Sequence, residues 1–214
     1  MTETRDKQML IERLVVGMLQ CNCYLVGCEE TKEGIIIDPG GDATLILDRV
    51  EELGLTIKSI VNTHGHIDHI AANRPVKEGT GAQIAIHEDD AEWLVTDQGD
   101  YARMLGVSLP GPAADVLLKE GDEIAFGNEN LRVIHTPGHS LGGISLVGDG
   151  VVFCGDTLFA NGVGRVDLPG GSWEILMATI KTRLLTMPDE TTAYTGHGPP
   201  TTIGRERQFN PWFV

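Results

Sequence analysis

Long apolar runs, a cysteine framework and basic charge are what this chain of 214 residues lacks. No apolar stretch reaches the ~18 residues that a membrane-spanning helix needs, so no membrane is expected as a partner. Residues 1–8 are polar and carry no apolar stretch of the signal-peptide kind, so a cytoplasmic location is expected. Cysteine is limited to Cys21, Cys23, Cys28 and Cys154. The Cys-x-Cys pair could hold a metal, but no second thiol pair follows at zinc-ribbon spacing. Buried free thiols are the expectation. Lys and Arg total 16 against 31 Asp and Glu, a formal charge of −15. That balance argues against nucleic acid or an anionic membrane as a partner and says little about a small-molecule substrate.

The length fits one domain, 1–214, with enough chain to bury a core without staples. Short apolar, β-branched runs at 11–18, 21–26 and 34–38 read as strands. Asp38-Pro39-Gly40-Gly41-Asp42 is a turn, and Asp42 is placed to cap a helix over 43–53 that ends at Gly54. Residues 57–62 form a further strand, completing a β-α-β unit. Helix is expected over 70–78, strand over 83–86 and an acid-first helix over 88–95. Residues 96–114 carry glycine and proline with weak periodicity, and 101–109 is a lid candidate. Beyond them, 116–118, 123–125, 131–135, 144–147 and 151–154 read as strands, with a hairpin turn at Gly148-Asp149-Gly150. Ser172 caps a helix over 173–185, and 192–194 is a last strand. Strand runs followed by a helix, twice over, predict two packed sheets with helices outside.

Histidine is scarce, seven in all, yet three fall in Thr63-His64-Gly65-His66-Ile67-Asp68-His69. On an extended stretch His64 and His66 point to one side. Asp68 and His69 join them only after a sharp change of direction, as at a strand end entering a helix. Imidazole and carboxylate together form a ligand set used by zinc, iron and manganese. Three more strand ends repeat the theme. His139 follows Thr136-Pro137-Gly138, Asp156 follows Cys154-Gly155, and His197 follows Thr195-Gly196. A carboxylate ending a buried strand is costly unless paired or metal-bound. The ligands sum to five His and two Asp, enough for two metals with a shared carboxylate. His135 reads as a strand residue or a support to a ligand, and His87 as a helix cap or surface residue.

These motifs resemble those of the metallo-β-lactamase-fold superfamily. Asn22-Cys23-Tyr24, Ile37-Asp38-Pro39-Gly40, Thr136-Pro137-Gly138-His139-Ser140, Gly155-Asp156-Thr157-Leu158-Phe159 and Gly196-His197-Gly198 follow the order of its glyoxalase II-like branch. The resemblance implies an α/β (α+β) fold, a four-layer αββα sandwich with metals in a cleft at one edge of the sheets. It implies that His64, His66 and His139 bind one metal, that Asp68, His69 and His197 bind a second, and that Asp156 bridges them. The implied cofactors are two divalent ions, zinc first, with iron or manganese as alternatives.

Two metals roughly 3.5–4 Å apart can share a hydroxide, whose formation at neutral pH they favour. Asp68 and Asp156 would position it for attack on an ester or thioester carbonyl. Thr63, Ser140 and Thr157 flank ligands and could orient them. Arg165, in Gly162-Val163-Gly164-Arg165, stands where a basic substrate contact is found in glyoxalase II, and could equally be a surface ion pair. No counterpart of the additional C-terminal helical region of true glyoxalase II is expected, so the short bacterial glyoxalase II-like hydrolases are the nearest resemblance. The chief rival is a persulfide dioxygenase of the same fold, with one iron on His64, His139 and Asp156. A lactonase or β-lactamase and a non-enzymatic binding module are the further alternatives.

Overall fold

The computed structural model describes residues 9–104, 107 and 110–214. The polar segment 1–8 and residues 105, 106, 108 and 109 of the lid candidate lie outside the described residues. The first sheet has six strands in sequence order, β1 (Met9–Val16), β2 (Cys21–Cys28), β3 (Glu33–Ile37), β4 (Thr56–Val61), β5 (Gln83–His87) and β6 (Val116–Leu118). It is antiparallel from β1 to β3 and parallel from β3 to β6. The second sheet draws on β7 (Glu123–Phe126), β8 (Glu129–His135), β9 (Ile144–Gly148), β10 (Val151–Gly155), β13 (Thr192–Thr195) and β14 (Thr201–Thr202). Its order is β14-β13-β10-β9-β8-β7. A ribbon of β11 (Leu158–Phe159) and β12 (Gly162–Val163) stands apart.

Alternation along the strands builds the layers. Tyr24, Val26, Ile35 and Ile37 pack with Phe126, Leu131, Val133, Leu146 and Phe153 to fill the space between the sheets. Cys23, Leu25 and Ile36, one residue out of phase, turn to the other face. They meet Ile46 and Val50 of α1 (Ala43–Leu53), Ile67 and Ile70 of α2 (Ile67–Ile70), and Val76 of α3 (Asn73–Thr80). On the far side of the second sheet Ile134, Val152 and Cys154 pack on Leu176 of α5 (Trp173–Thr179) and Ile203 of α6 (Ile203–Phe209). The result is helices, sheet, sheet, helices. Each fully buried Ile, Leu or Phe contributes roughly 1.5–3 kcal/mol, so three apolar layers can hold a polar cluster rigid at their edge. Among the described residues no helix is long and apolar enough to cross a membrane.

Several local expectations shift. The expected helix over 70–78 is two helices, α2 and α3, because the chain bends at Ala71 and Ala72 between them. The expected helix over 88–95 is a 3-10 helix, Glu88–Leu94, and α4 (Gly99–Met104) falls within the segment read as a loop. The helix capped by Ser172, which accepts from the Ile175 amide, relaxes into a π turn at Ile180–Leu184. Asp42 does not cap α1. Its φ of 47° turns the carboxylate away, and Oδ2 accepts from the Gly17 amide at 2.8 Å. Gly54 closes α1 in the left-handed region, as expected.

Candidate metal centre

Four strand ends meet at one edge of the two sheets. After β4 the chain runs extended through His66, with ψ 146°, and then enters α2. His64 and His66 therefore project together, and His139 from the second sheet joins them. His139 Nε2 lies 2.9 Å from His66 Nδ1 and 3.3 Å from His64 Nε2. The turn of α2 brings Asp68 and His69 to a second group with His197, whose Nε2 is 3.2 Å from Asp68 Oδ2. His69 Nε2 lies 3.7 Å from the same oxygen. Asp156 stands between the groups. Its Oδ1 is 3.4 Å from His69 Nε2, and its Oδ2 is 3.6 Å from both His139 Nε2 and His197 Nε2.

The residues fit divalent metals on the chemistry of their donors. Within each triad the ligand atoms lie within 4.8 Å of one another. The rings of His64, His66 and His139 meet edge to face, so that their nitrogens converge on one point. Among the described residues, buried His69 Nε2 and Asp156 Oδ1 find no hydrogen bond. Leaving such atoms unpaired costs about 1–3 kcal/mol each, which a cation would offset. His64, His66, His69 and His139 are buried, while the side chains of Asp68, Asp156 and His197 keep some exposure. The open side of the centre is thus its carboxylate side.

A second set of contacts orients the imidazoles. Asp38 is buried, with φ 52°, at the end of β3. Its Oδ2 meets His69 Nδ1 at 2.9 Å and accepts from the Thr63 hydroxyl at 2.6 Å; its Oδ1 accepts from the Thr63 amide at 2.7 Å. Thr63 Oγ1 in turn sits 3.1 Å from His64 Nδ1. His139 Nδ1 donates to the Arg165 carbonyl at 2.7 Å. Buried Asp90, in the 3-10 helix, accepts from the amides of Gly65 and Gly142 and ties the first motif to the loop after His139. The His197 loop is stitched to β2. The Asn22 amide nitrogen Nδ2 donates to the carbonyls of Thr195 and Gly198, and the Tyr24 hydroxyl donates to Thr195.

All seven sequence-derived candidate ligands, His64, His66, Asp68, His69, His139, Asp156 and His197, come together. Thr63 touches the candidate ligand His64, whereas Thr157 faces Thr136, and Ser140 Oγ has no hydrogen-bond partner among the described residues. The Arg165 guanidinium makes a forked pair with Asp167, both N–O distances 2.7 Å. Cys154 Sγ turns toward the carbonyls of Leu158 and Tyr194, away from the centre. All four cysteines are buried and free. His87 caps the 3-10 helix and stacks on His135, rings 4.3 Å apart. Asp38 and Asp90 were not among the sequence candidates. Asp38 had a readable signal, a carboxylate after an apolar strand and before Pro-Gly, which the turn reading absorbs. Asp90 had none.

Glycine beside the ligands is a matter of space. A Cβ on Gly196 would overlap Asp156 Oδ1 and stand 2.9 Å from His69 Cε1. Gly196→Ala should displace Asp156 and lower metal content measurably, by at least one equivalent on metal analysis. Unchanged content with unchanged activity would show that the loop has room.

Charge divides the centre. Burial and the neighbouring imidazoles hold His64 well below the usual histidine range and His66 down to about 4. Burial would lower His69 too, but the surrounding carboxylates Asp156, Asp68 and Asp38, with Cys21, raise it. His197 is likewise raised, against its burial, by Asp68 and Asp156. Asp68 and Asp156, despite burial, are held below the ordinary carboxylate range by His69 with His197. A raised histidine must lose a proton to bind a metal, so acid competes first at His69 and His197. Falling pH should empty the Asp68-His69-His197 group before the His64-His66-His139 group. Metal content after dialysis at stepped pH tests this; simultaneous loss, or loss in the reverse order, would count against it.

Comparison with known proteins places this arrangement. Residues 16–197 match the family model described as the metallo-beta-lactamase superfamily. The chain is 36% identical to hydroxyacylglutathione hydrolase GloC of Haemophilus influenzae over 212 residues, covering 95% of this chain and 98% of the relative. Among solved structures it is similar to the BLEG-1 B3 metallo-beta-lactamase, with TM-score 0.90 and 34% identity over 96% of this chain and 100% of that one. It is also similar to TTHA1623 in a di-iron-bound form, with TM-score 0.83 and 37% identity over 94% and 99% of the two chains.

Proposed function

The chain belongs to the metallo-β-lactamase superfamily, and from that premise we propose that it is a two-metal hydrolase of a thioester or ester. One observation carries the reading: Asp156 turns one oxygen to His69 and the other to both His139 and His197, so that two triads share one carboxylate. His64, His66 and His139 would hold one ion, Asp68, His69 and His197 the other, with Asp156 common to both. Bound there, the metals would supply a nucleophile from water at neutral pH and polarise the scissile carbonyl. Zinc is the first candidate. Iron is the alternative, since a relative with 37% identity was solved with two irons.

The chain's own residues do the rest. Asp38 and the Arg165 carbonyl hold the Nδ1 protons of His69 and His139, so that each presents Nε2 inward. Asp68 Oδ2, at the open side, orients the attacking water through its proton. Water adds its oxygen to the acyl carbon, the C–S bond breaks, and carboxylate, thiol and one proton result. A thiolate leaves without a strong general acid, which suits a centre whose carboxylates Asp68 and Asp156 are held ionised. The H. influenzae relative's name supports a hydroxyacyl thioester as the first substrate to try.

The test is metal analysis of the purified protein, followed by a panel of S-lactoylglutathione, simple acyl thioesters, an aryl ester, a lactone and a β-lactam. Thioester turnover that a chelator abolishes is expected. Oxygen uptake with glutathione persulfide, without any hydrolysis, would instead identify a one-iron dioxygenase on His64, His139 and Asp156.

A further inference from the structure

A cleft of about 480 Å³ opens beside Asp68, on the α1 side of the metal centre. That volume is in the range of small-molecule sites, roughly 300–1,000 Å³. Its walls include Met18, Leu19, Ala71, Ala72, Pro75 and Val107. Met18 and Leu19 form the turn between β1 and β2, and both are exposed, Met18 at 72%. Neither is covered by the fold, so the turn stands as an apolar rim. Only two charges line the cleft among the described residues, and both are carboxylates. Asp42 is engaged by the Gly17 amide, and Asp68 faces His197. No cation lines it there.

A substrate reaching past Asp68 therefore meets apolar side chains and the Asp42 carboxylate. The common thiol carriers end in carboxylates or phosphates, for which this lining offers no cation among the described residues. An acyl chain bears neither. We infer that this cleft receives the acyl arm of the substrate, and that the arm is an uncharged aliphatic chain longer than a lactoyl group. The inference rests on the thioester reading above and adds to it the class of acyl group and the side of the centre on which it lies.

The test uses the metal-loaded full-length protein and thioesters of N-acetylcysteamine, a neutral thiol, with acetyl, butanoyl, hexanoyl and octanoyl groups. Burial of one methylene corresponds to about fourfold, so kcat/KM should rise by about that factor for each methylene until the cleft is full. Ala43→Phe and Ala71→Phe, which fill the cleft, should flatten the slope. The readout is the slope within each protein, so a uniform loss of activity in a variant leaves it intact. A flat or falling slope in the native chain, or a slope that both variants keep, overturns the assignment. Binding of the matching ketones, with a methylene in place of sulfur, is measured in parallel by calorimetry. If no thioester is hydrolysed, the functional reading fails by itself. The ketone series still decides the cleft, since affinity must climb with chain length in the native protein and not in the filled variants.

Discussion

Replacing Asp156 with alanine is expected to strip metal and activity together. Both oxygens of this carboxylate are committed, one toward His69 and one toward His139 and His197. Its loss leaves five imidazoles facing one another with Asp68 as the remaining carboxylate among the ligands. The mutual repulsion that already lowers His64 and His66 would grow. Activity should fall by at least the ~10²–10³-fold that loss of one preorganised electrostatic group costs. Metal content should drop below one full equivalent. Asp156→Asn is the informative companion, because it keeps volume and one oxygen while removing the charge. An alanine variant that carries two full equivalents of metal would overturn the shared-carboxylate arrangement.

Asp38 makes the second large prediction. It is buried and is not one of the seven candidate ligands, yet it accepts from Thr63 twice and faces His69 Nδ1. Asp38→Ala would leave buried donors unpaired, at about 1–3 kcal/mol each, and would force alanine to a positive φ. A stability loss of about 3–5 kcal/mol is expected from chemical denaturation. Asp38→Asn separates structure from chemistry. Asparagine tolerates the left-handed backbone and fills the same space. With its NH₂ toward His69 it turns the ring nitrogen into an acceptor, so the proton moves to Nε2, the atom that faces Asp68 and Asp156. Metal affinity should then fall about 10–100-fold in a protein that still folds cooperatively. Native affinity in the asparagine variant would show that Asp38 only supports the fold.

Much of the centre was legible because its determinants are local. His64 and His66 share a side by strand alternation, and Gly155 and Gly196 mark places where a side chain has no room. The same local signal, a carboxylate ending an apolar strand, was present at Asp38, where the Pro-Gly that follows also satisfies a turn. Asp42 shows the converse. Its position before α1 has the residue type of a cap, but a contact with Gly17, 25 residues away, takes the side chain instead. Asp90 was invisible, since a carboxylate in an acidic 3-10 turn looks solvated until Gly65 and Gly142 are brought over it.

By itself, the sequence determined which candidate donors sit at strand ends, because alternation and turn chemistry act over two to four residues. Only the tertiary structure decided which donors face which. His66 and His139 are 73 residues apart and meet because two sheets align their edges. Asn22 and Tyr24 reach across to hold the His197 loop, more than 170 residues away. The apolar cleft beside Asp68 arises the same way, from a hairpin turn, a helix start and α2 converging. These pairings depend on how whole layers pack, and no short stretch of sequence carries that information.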